Sequence, residues 1–284
     1  MFFYTLGFVF SCFVSLLFLG AMPALATETP TTVPPFKLFP TLSQLKTSTP
    51  QAYCAPTSLT MGVLSLEEQQ QLHQQAYPLI EQLAHTYLHM DRQEGTTAAN
   101  MLKGTQDFLK AQYPTQPFEV QYQGIHWVEN QVTRVPCLKL LLVQPANQFT
   151  IVHVGWYAMV PSRKQFNRLG GHYVLLNHTS RVNKHFYMLR FNDPLQSEEQ
   201  QEQAEYNHLV PLKTILKDSK QWVLKDTNEF IDTRISLETL WVFDPMPSKS
   251  TSILPVLEGV LTVKRVLPVS QPTPPNTPSN IQGR

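Results

Sequence analysis

The feature that most constrains the fold is a change of hydrophobic pattern near residue 117. Before it, apolar residues recur every three or four positions, the spacing that places them on one face of a helix. After it, short runs rich in β-branched and aromatic residues are bounded by Pro, Gly and Asn, which is typical of strands joined by turns. Because helices come first and strands follow, we expect an α+β fold with N-terminal helices packed on an antiparallel β-sheet.

Caps and breakers divide the helical part into three predicted helices. The second is expected to break or kink at Pro78, after which a helical face continues to about residue 90. The predicted starts of the three helices are Cys54, the capping box of residues 65–68 and the cap at residues 95–97. In the second half, a helical segment is expected around 206–217. The predicted strands cover residues 118–122, 138–144, 149–157, 172–178, 185–192 and 235–243.

The N-terminus has the pattern of a secretory signal peptide. Residues 2–20 are almost wholly apolar, and Ala24-Leu25-Ala26 is a small-x-small cleavage pattern, so a signal peptide over 1–26 is predicted, with cleavage after Ala26. The n-region carries no Lys or Arg, and the apolar run is just long enough to span a bilayer, so an uncleaved anchor is the alternative. The favoured prediction is a periplasmic or secreted protein with no stable membrane insertion after cleavage.

The rest of the chain is predicted to form one domain between two irregular segments. Residues 27–43, rich in Thr and Pro, form an extended arm, 44–266 form the domain, and 267–284 form a disordered Pro-rich tail. With 22 basic and 21 acidic residues, the net charge is +1. This balance provides no strong field for nucleic acid, which is therefore not expected as a partner.

Cys54 is a candidate nucleophile because the pattern delivers it onto the first turn of a helix. Pro56 fits that first turn, where its missing N–H has no partner to lose. The positive end of the helix dipole stabilises a thiolate at this position. Two alternatives stay open: Cys54 is a small buried core residue, or it forms a disulfide with Cys137, the other cysteine of the predicted mature chain.

A thiol nucleophile needs a base, and the base needs an orienting group. The candidate base is His172, which follows two glycines at the end of a predicted strand. A hairpin turn at about 181–183 would place His172 opposite Phe191 or Asp193. Asp193 would then reach the imidazole directly or diagonally. A one-residue slip would bring Asn192 there instead, so Asn192 is the alternative orienter.

Three motifs in this order resemble those of the papain-like cysteine peptidases, and in particular the branch of bacteriocin-leader (double-glycine) peptidases and their exported relatives. The motifs are Cys54-Ala55-Pro56-Thr57-Ser58, Gly170-Gly171-His172-Tyr173-Val174 and Asn192-Asp193-Pro194. The resemblance covers about residues 44–195 and leaves 196–266 as a C-terminal elaboration. It implies a papain-like fold in which Cys54 is the nucleophile, His172 the general base and acid, and Asp193 the orienting group.

What the resemblance implies is an exported peptidase or amide hydrolase that acts on a peptide or protein substrate through a thioester, without a cofactor or metal. One departure concerns the oxyanion: the family places a glutamine about six residues before the cysteine, where this chain has Ser48. Gln51 is nearer the cysteine and is the oxyanion candidate, and Gln44 lies farther away. The alternatives are an acyl transferase of transpeptidase or transglutaminase type and a weakly active or inactive peptide-binding module.

Two other groups of residues receive default interpretations. His85 and His89 have the i, i+4 spacing of a zinc-binding helix, but no third ligand is evident, so surface positions are expected. Arg168, with its neighbours Arg163 and Lys164, is expected in a solvated loop, with a role at a substrate carboxylate as the alternative.

Overall fold

The computed structural model describes residues 39–66, 74–128, 131–132, 136, 138–142, 144–183, 185–244 and 253–267. The predicted signal peptide, the first part of the arm, the second half of the 65–68 capping box, Cys137 and the tail beyond Leu267 lie outside these residues. The predicted domain boundaries therefore stay predictions. None of the helices in the described ranges is long and apolar enough to cross a membrane.

Among the described residues, the N-terminal layer has three helices: α1 (Cys54–Leu64), α2 (Ala76–Gln82), which continues as a π-helix over Leu83–Tyr87, and α3 (Ala98–Gln112). Thr97 caps α3, since its side chain accepts a hydrogen bond from the Asn100 amide. Pro78 lies in the first turn of α2, where proline is tolerated. The predicted interruption falls just before it, since Gln74 is helical, Gln75 is a turn residue and α2 begins at Ala76. Every residue of α1 is buried, which makes it the central helix of the layer.

The sheet contains eight strands in the order β1-β10-β4-β5-β6-β7-β9, with β8 paired to β5. All of these pairings are antiparallel except the β5–β8 pairing. The strands are β1 (Phe118–Gly124), β4 (Gln148–Val160), β5 (Gln165–Asn183), β6 (Phe186–Asn192), β7 (Asn207–Pro211), β8 (Val223–Lys225), β9 (Trp241–Asp244) and β10 (Ile253–Arg265). A short pair, β2 (Trp127–Val128) with β3 (Gln131–Val132), stands apart. The fold is thus α+β, as predicted.

Alternating side chains of the long strands pack into two different hydrophobic cores. Tyr173 and Leu175 belong to the cluster formed with the N-terminal helices. Val174 and Leu176 belong to a second cluster, to which β6, β7 and β9 also contribute. His172 precedes Tyr173 within β5 and therefore lies on the face of the second cluster.

Short helices replace or interrupt three predicted elements. The predicted strand at 138–144 is wrong, because this segment forms the helix α4 (Lys139–Leu142); a short leucine run fits a buried helix as well as a strand. The predicted helix at 206–217 is β7 followed by only one helical turn, α6 (Leu212–Ile215). The predicted strand at 235–243 includes a 3₁₀ turn, and only its last part pairs, as β9. The helix α5 (Glu198–Glu202) follows β6.

The strand β10 was not predicted from the sequence, although it lies between β1 and β4 in the sheet. Pro255, Glu258 and Gly259 interrupt its apolar alternation and hide the period of two. The structure accommodates them with a bulge between Leu257 and Gly259.

Candidate active site

Cys54 is the first residue of α1, as predicted, and carries a free thiol. The N-cap residue Tyr53 provides no side-chain cap, so the first backbone N–H groups of the helix are left for another acceptor. Cys54 is 8% exposed. The Ser58 hydroxyl, one turn further along α1, donates to the Tyr173 carbonyl at 3.0 Å. This bond fixes the cysteine helix to the residue that follows His172.

His172 lies beside both of its predicted partners. Its Nε2 lies 2.7 Å from Oδ1 of Asp193, and the Cys54 side chain is close enough to the same imidazole to raise its pKa. The Asp193 Oδ1 also accepts the Leu195 amide at 2.9 Å, which holds the carboxylate in place. The structure therefore brings the three predicted residues into one chain of contacts.

The predicted hairpin register, however, is shifted. Phe191 lies opposite Leu176 rather than His172, and the turn follows Asn183 instead of falling at 181–183. The pairing of Asn183 with Phe186 moves the turn toward the C-terminus, and bulges at two points of the pairing reverse only part of this shift. Extending the observed register by one residue places position 193 opposite Val174, so Asp193 reaches His172 diagonally on the same face.

The His172–Asp193 pair is an ion pair at neutral pH. Burial alone lowers the pKa of His172, but the charge and hydrogen bond of Asp193, together with Cys54, raise it to about 10. For Asp193, burial raises the pKa, and the positive His172 more than offsets this and lowers it. The ring is thus held as an imidazolium beside the thiol.

Asn192, the alternative orienter, does not face His172. It pairs with Leu175, and its side chain is buried. Its Oδ1 accepts a hydrogen bond from the side-chain amide of Asn177 at 2.8 Å, and its Nδ2 donates to the Pro40 carbonyl at 3.2 Å. Asn192 therefore ties the arm to the sheet and leaves the orienting position to Asp193.

The Cys54–His172 pair lies between two cavities of different character. We call the one beside Cys54 the polar cavity: it holds about 240 Å³ and is lined by Cys54, Gln51, Glu94, Thr96, His126, His153, Arg168, Tyr173, Asp226, Asn228 and neighbouring residues. We call the one beside His172 and Asp193 the apolar groove: it holds about 640 Å³, and its apolar lining is Val154, Trp156, Val174, Phe191, Leu195 and Tyr206.

The three candidate oxyanion positions differ in what they contact. The Ser48 hydroxyl is 3.1 Å from the Tyr53 hydroxyl, and the buried Gln44 amide donates to the Pro50 carbonyl. Gln51 is exposed and lines the polar cavity together with Cys54. Gln51 is thus the side-chain amide that has access to the space in front of the thiol.

A second cluster of ionisable residues lies along the polar cavity, and the sequence analysis missed it. At its centre is the fully buried Glu258 of β10. Its Oε1 accepts from Nε of Arg168 at 2.7 Å and from the Tyr157 hydroxyl at 2.6 Å. Its Oε2 accepts from Nη2 of Arg168 at 2.9 Å and lies 2.7 Å from Nε2 of His126. The expectation of a solvated loop at Arg168 is wrong, because this residue lies in β5 with its side chain 7% exposed.

Two glycines make room for this cluster. A Cβ on Gly155 would lie 2.0 Å from Oε1 of Glu258. A Cβ on Gly171 would lie 2.6 Å from Nε2 of His153 and 2.7 Å from Nη2 of Arg168. Close packing against His153 and Arg168 thus explains why the second position of the Gly170-Gly171-His172 motif is a glycine. This glycine is the one sequence signal near the cluster.

His126, His153 and Glu258 offer ligand atoms within 4.8 Å of one another. A metal fits this group poorly, because both Glu258 oxygens already accept hydrogen bonds and the Arg168 cation lies against them. His85 and His89 do not share a helical face, since the helix ends at Tyr87 and His89 adopts a left-handed conformation with φ 44°. His85 instead contacts the Tyr53 hydroxyl at 3.1 Å.

Comparisons with family models, curated proteins and solved structures find no match for this chain.

Proposed function

We propose that the protein is a papain-like thiol hydrolase that cleaves a peptide or isopeptide bond. The observation that carries the proposal is the chain of contacts from Cys54, at an uncapped helix N-terminus, through His172 to Asp193. Thiol, imidazole and carboxylate in this order form the arrangement that activates a nucleophile. The signal-peptide prediction adds that the enzyme is exported.

In the proposed reaction, the Cys54 sulfur attacks the substrate carbonyl carbon and forms a C–S bond. The uncapped N–H groups at the start of α1, with Gln51 at the cavity edge, stabilise the developing oxyanion. The imidazolium of His172 donates its proton to the amine nitrogen as the C–N bond breaks. Water then attacks the thioester, His172 takes a proton from it, and the C–S bond breaks to release the acid and restore the thiolate.

The positions of the two cavities indicate where the two segments of the substrate bind. Because His172 protonates the leaving amine, the leaving segment must lie beside His172, which lines the apolar groove. The acyl segment then lies over Cys54 and the polar cavity. We therefore expect apolar residues to be favoured on the leaving side of the cleaved bond.

The proposal is tested by the rates at which iodoacetamide alkylates Cys54 and Cys137 in the native protein, each followed by peptide mass spectrometry. Cys54 is expected to react at least about tenfold faster than Cys137, because the thiolate and not the thiol is the nucleophile. Replacing His172 by Gln should remove most of this difference, with thermal unfolding as the check that the variant is folded. Equal rates at the two cysteines, or a fast Cys54 in His172→Gln, would contradict the proposal.

The same measurement separates the alternatives. A binding module on this scaffold has no need of an activated thiol and would show the slow reaction at Cys54. A Cys54–Cys137 disulfide would show no reaction at either cysteine until a reductant is added.

A further inference from the structure

Two residues that line the polar cavity carry buried hydroxyl groups without a partner among the described residues. The Tyr173 hydroxyl and the Thr96 Oγ1 are buried, and neither has a hydrogen-bond partner among the described residues. Tyr173 is 2% exposed and Thr96 is 8% exposed, and both line the cavity. Buried polar groups in native proteins almost always have a partner, so these two hydroxyls indicate that something binds there.

The cavity is large enough for a side chain. It holds about 240 Å³, whereas a single water molecule needs about 10–15 Å³ of such space. The Tyr173 ring is also held in place, because it stacks on the His153 ring with centroids 4.1 Å apart. The position of the Tyr173 hydroxyl is therefore fixed.

The charges around the cavity favour a cation. Its lining includes two carboxylates, Glu94 and Asp226, and one guanidinium, Arg168. Glu258 already neutralises Arg168 through two hydrogen bonds. Burial lowers the pKa of His153 well below its usual range, so this ring adds no charge at neutral pH. Glu94 and Asp226 therefore leave an excess of negative charge, and a cavity lined by one sign of charge attracts the opposite sign.

Asp226 is held in position by backbone amides, and Glu94 by its turn and a side-chain amide. Asp226 accepts the Phe230 amide at 2.8 Å and the Asn228 amide at 3.2 Å. Glu94 lies in a turn that is closed by two bonds between Asp91 and Gly95, and its Oε2 lies 3.5 Å from Nδ2 of Asn228. The two loops thus meet across the cavity, with a carboxylate on each.

We propose that the polar cavity binds the primary ammonium group of a lysine-type side chain, carried by the residue whose carbonyl Cys54 attacks. The ammonium group donates to the hydroxyls of Tyr173 and Thr96, and Glu94 and Asp226 balance its charge. This assignment rests on the proposed function, because that function places the acyl segment over the polar cavity.

The test uses four peptidyl chloromethyl ketones that differ only in the residue attached to the ketone: lysine, norleucine, glutamine or glutamate. Norleucine matches the lysine stem without its charge. We expect the lysine probe to inactivate the protein at least about tenfold faster than the norleucine probe, and the glutamate probe to be the slowest. Mass spectrometry locates the adduct, which should be on Cys54.

Three variants sharpen the test. Tyr173→Phe removes only the hydroxyl, and Glu94→Gln removes only a charge; each should reduce the lysine-to-norleucine ratio several-fold. Glu119→Gln is the matched control, because Glu119 is an exposed carboxylate on β1 outside the cavity lining, and it should leave the ratio unchanged. The preference should also fall as salt is added, since screening weakens charge attraction.

Iodoacetamide, which has no side chain, separates the two proposals. If iodoacetamide reacts fast at Cys54 but lysine and norleucine probes are equal, or the glutamate probe is preferred, the lysine assignment is overturned and the hydrolase proposal stands. If iodoacetamide itself reacts no faster at Cys54 than at Cys137, both proposals fall together.

Discussion

The Cys54 site and the Glu258 cluster lie along the same polar cavity, yet they use ionisable groups in opposite ways. At the site, Asp193 holds His172 as a cation next to a thiol, and the first N–H groups of α1 are uncapped. In the cluster, Arg168, His126 and Tyr157 satisfy both oxygens of Glu258. The comparison shows that a reactive site leaves hydrogen-bonding groups free for a reactant, whereas the hydrogen-bonding groups of a structural cluster bond to one another.

The largest expected effect on stability comes from the cluster. In Glu258→Gln, the buried Arg168 loses its counter-charge, and breaking a buried pair in this way costs about 3–5 kcal/mol. The free energy of unfolding, measured by urea denaturation, should fall by this amount, while Glu119→Gln should change it by less than about 0.5 kcal/mol. An equally small change for Glu258→Gln would contradict a structural role for the cluster.

The next effect concerns the charge at the site. Asp193→Asn keeps the shape of the orienting side chain but removes the charge that raises the pKa of His172 to about 10. The His172 pKa, followed by NMR of labelled histidine, should drop by more than one unit, which corresponds to a more than about tenfold lower ratio of imidazolium to imidazole at any pH. The titration of His178, on the same strand, serves as the internal control. An unchanged His172 titration would show that Asp193 does not hold the ring in its charged form.

The smallest effect is a pH dependence of stability from His153. Burial lowers its pKa in the folded state, so below pH 6.5 the unfolded chain binds a proton that the folded chain does not. Stability should therefore fall as the pH drops from 6.5, by at most about 1.4 kcal/mol per pH unit from this residue. His153→Gln should flatten the stability profile between pH 6.5 and 5. A wild-type profile that is already flat there would contradict a buried neutral His153.

The same comparison explains what the sequence could predict. Cys54 and His172 belong to local patterns, a helix start and a strand after two glycines, and Asp193 follows from hairpin pairing. The turn lies farther along the chain than predicted, and two bulges reverse only part of the resulting shift, but Asp193 still reaches the ring because a diagonal contact on one face tolerates it.

The Glu258 cluster could not be predicted because its members have no local pattern. His126, Arg168 and Glu258 come from separate segments, and the strand that carries Glu258 was itself missed because Pro255 and Gly259 break its alternation. Only sheet pairing of β10 with β4 brings Glu258 next to Gly155 and, through β5, to Arg168. Contacts that form only by tertiary assembly leave no periodic pattern in the sequence.

The central claim is that Cys54 acts as a nucleophile activated by His172, and the most direct test is to trap the acyl-enzyme. After mixing with an activated acetyl ester such as p-nitrophenyl acetate, intact-protein and peptide mass spectrometry should find one acetyl group on Cys54 within the first turnovers. That group should then be lost by hydrolysis, and Cys54→Ala should acquire none. Acetylation only at Cys137, or at Cys54 with equal rate in His172→Gln, would contradict the account.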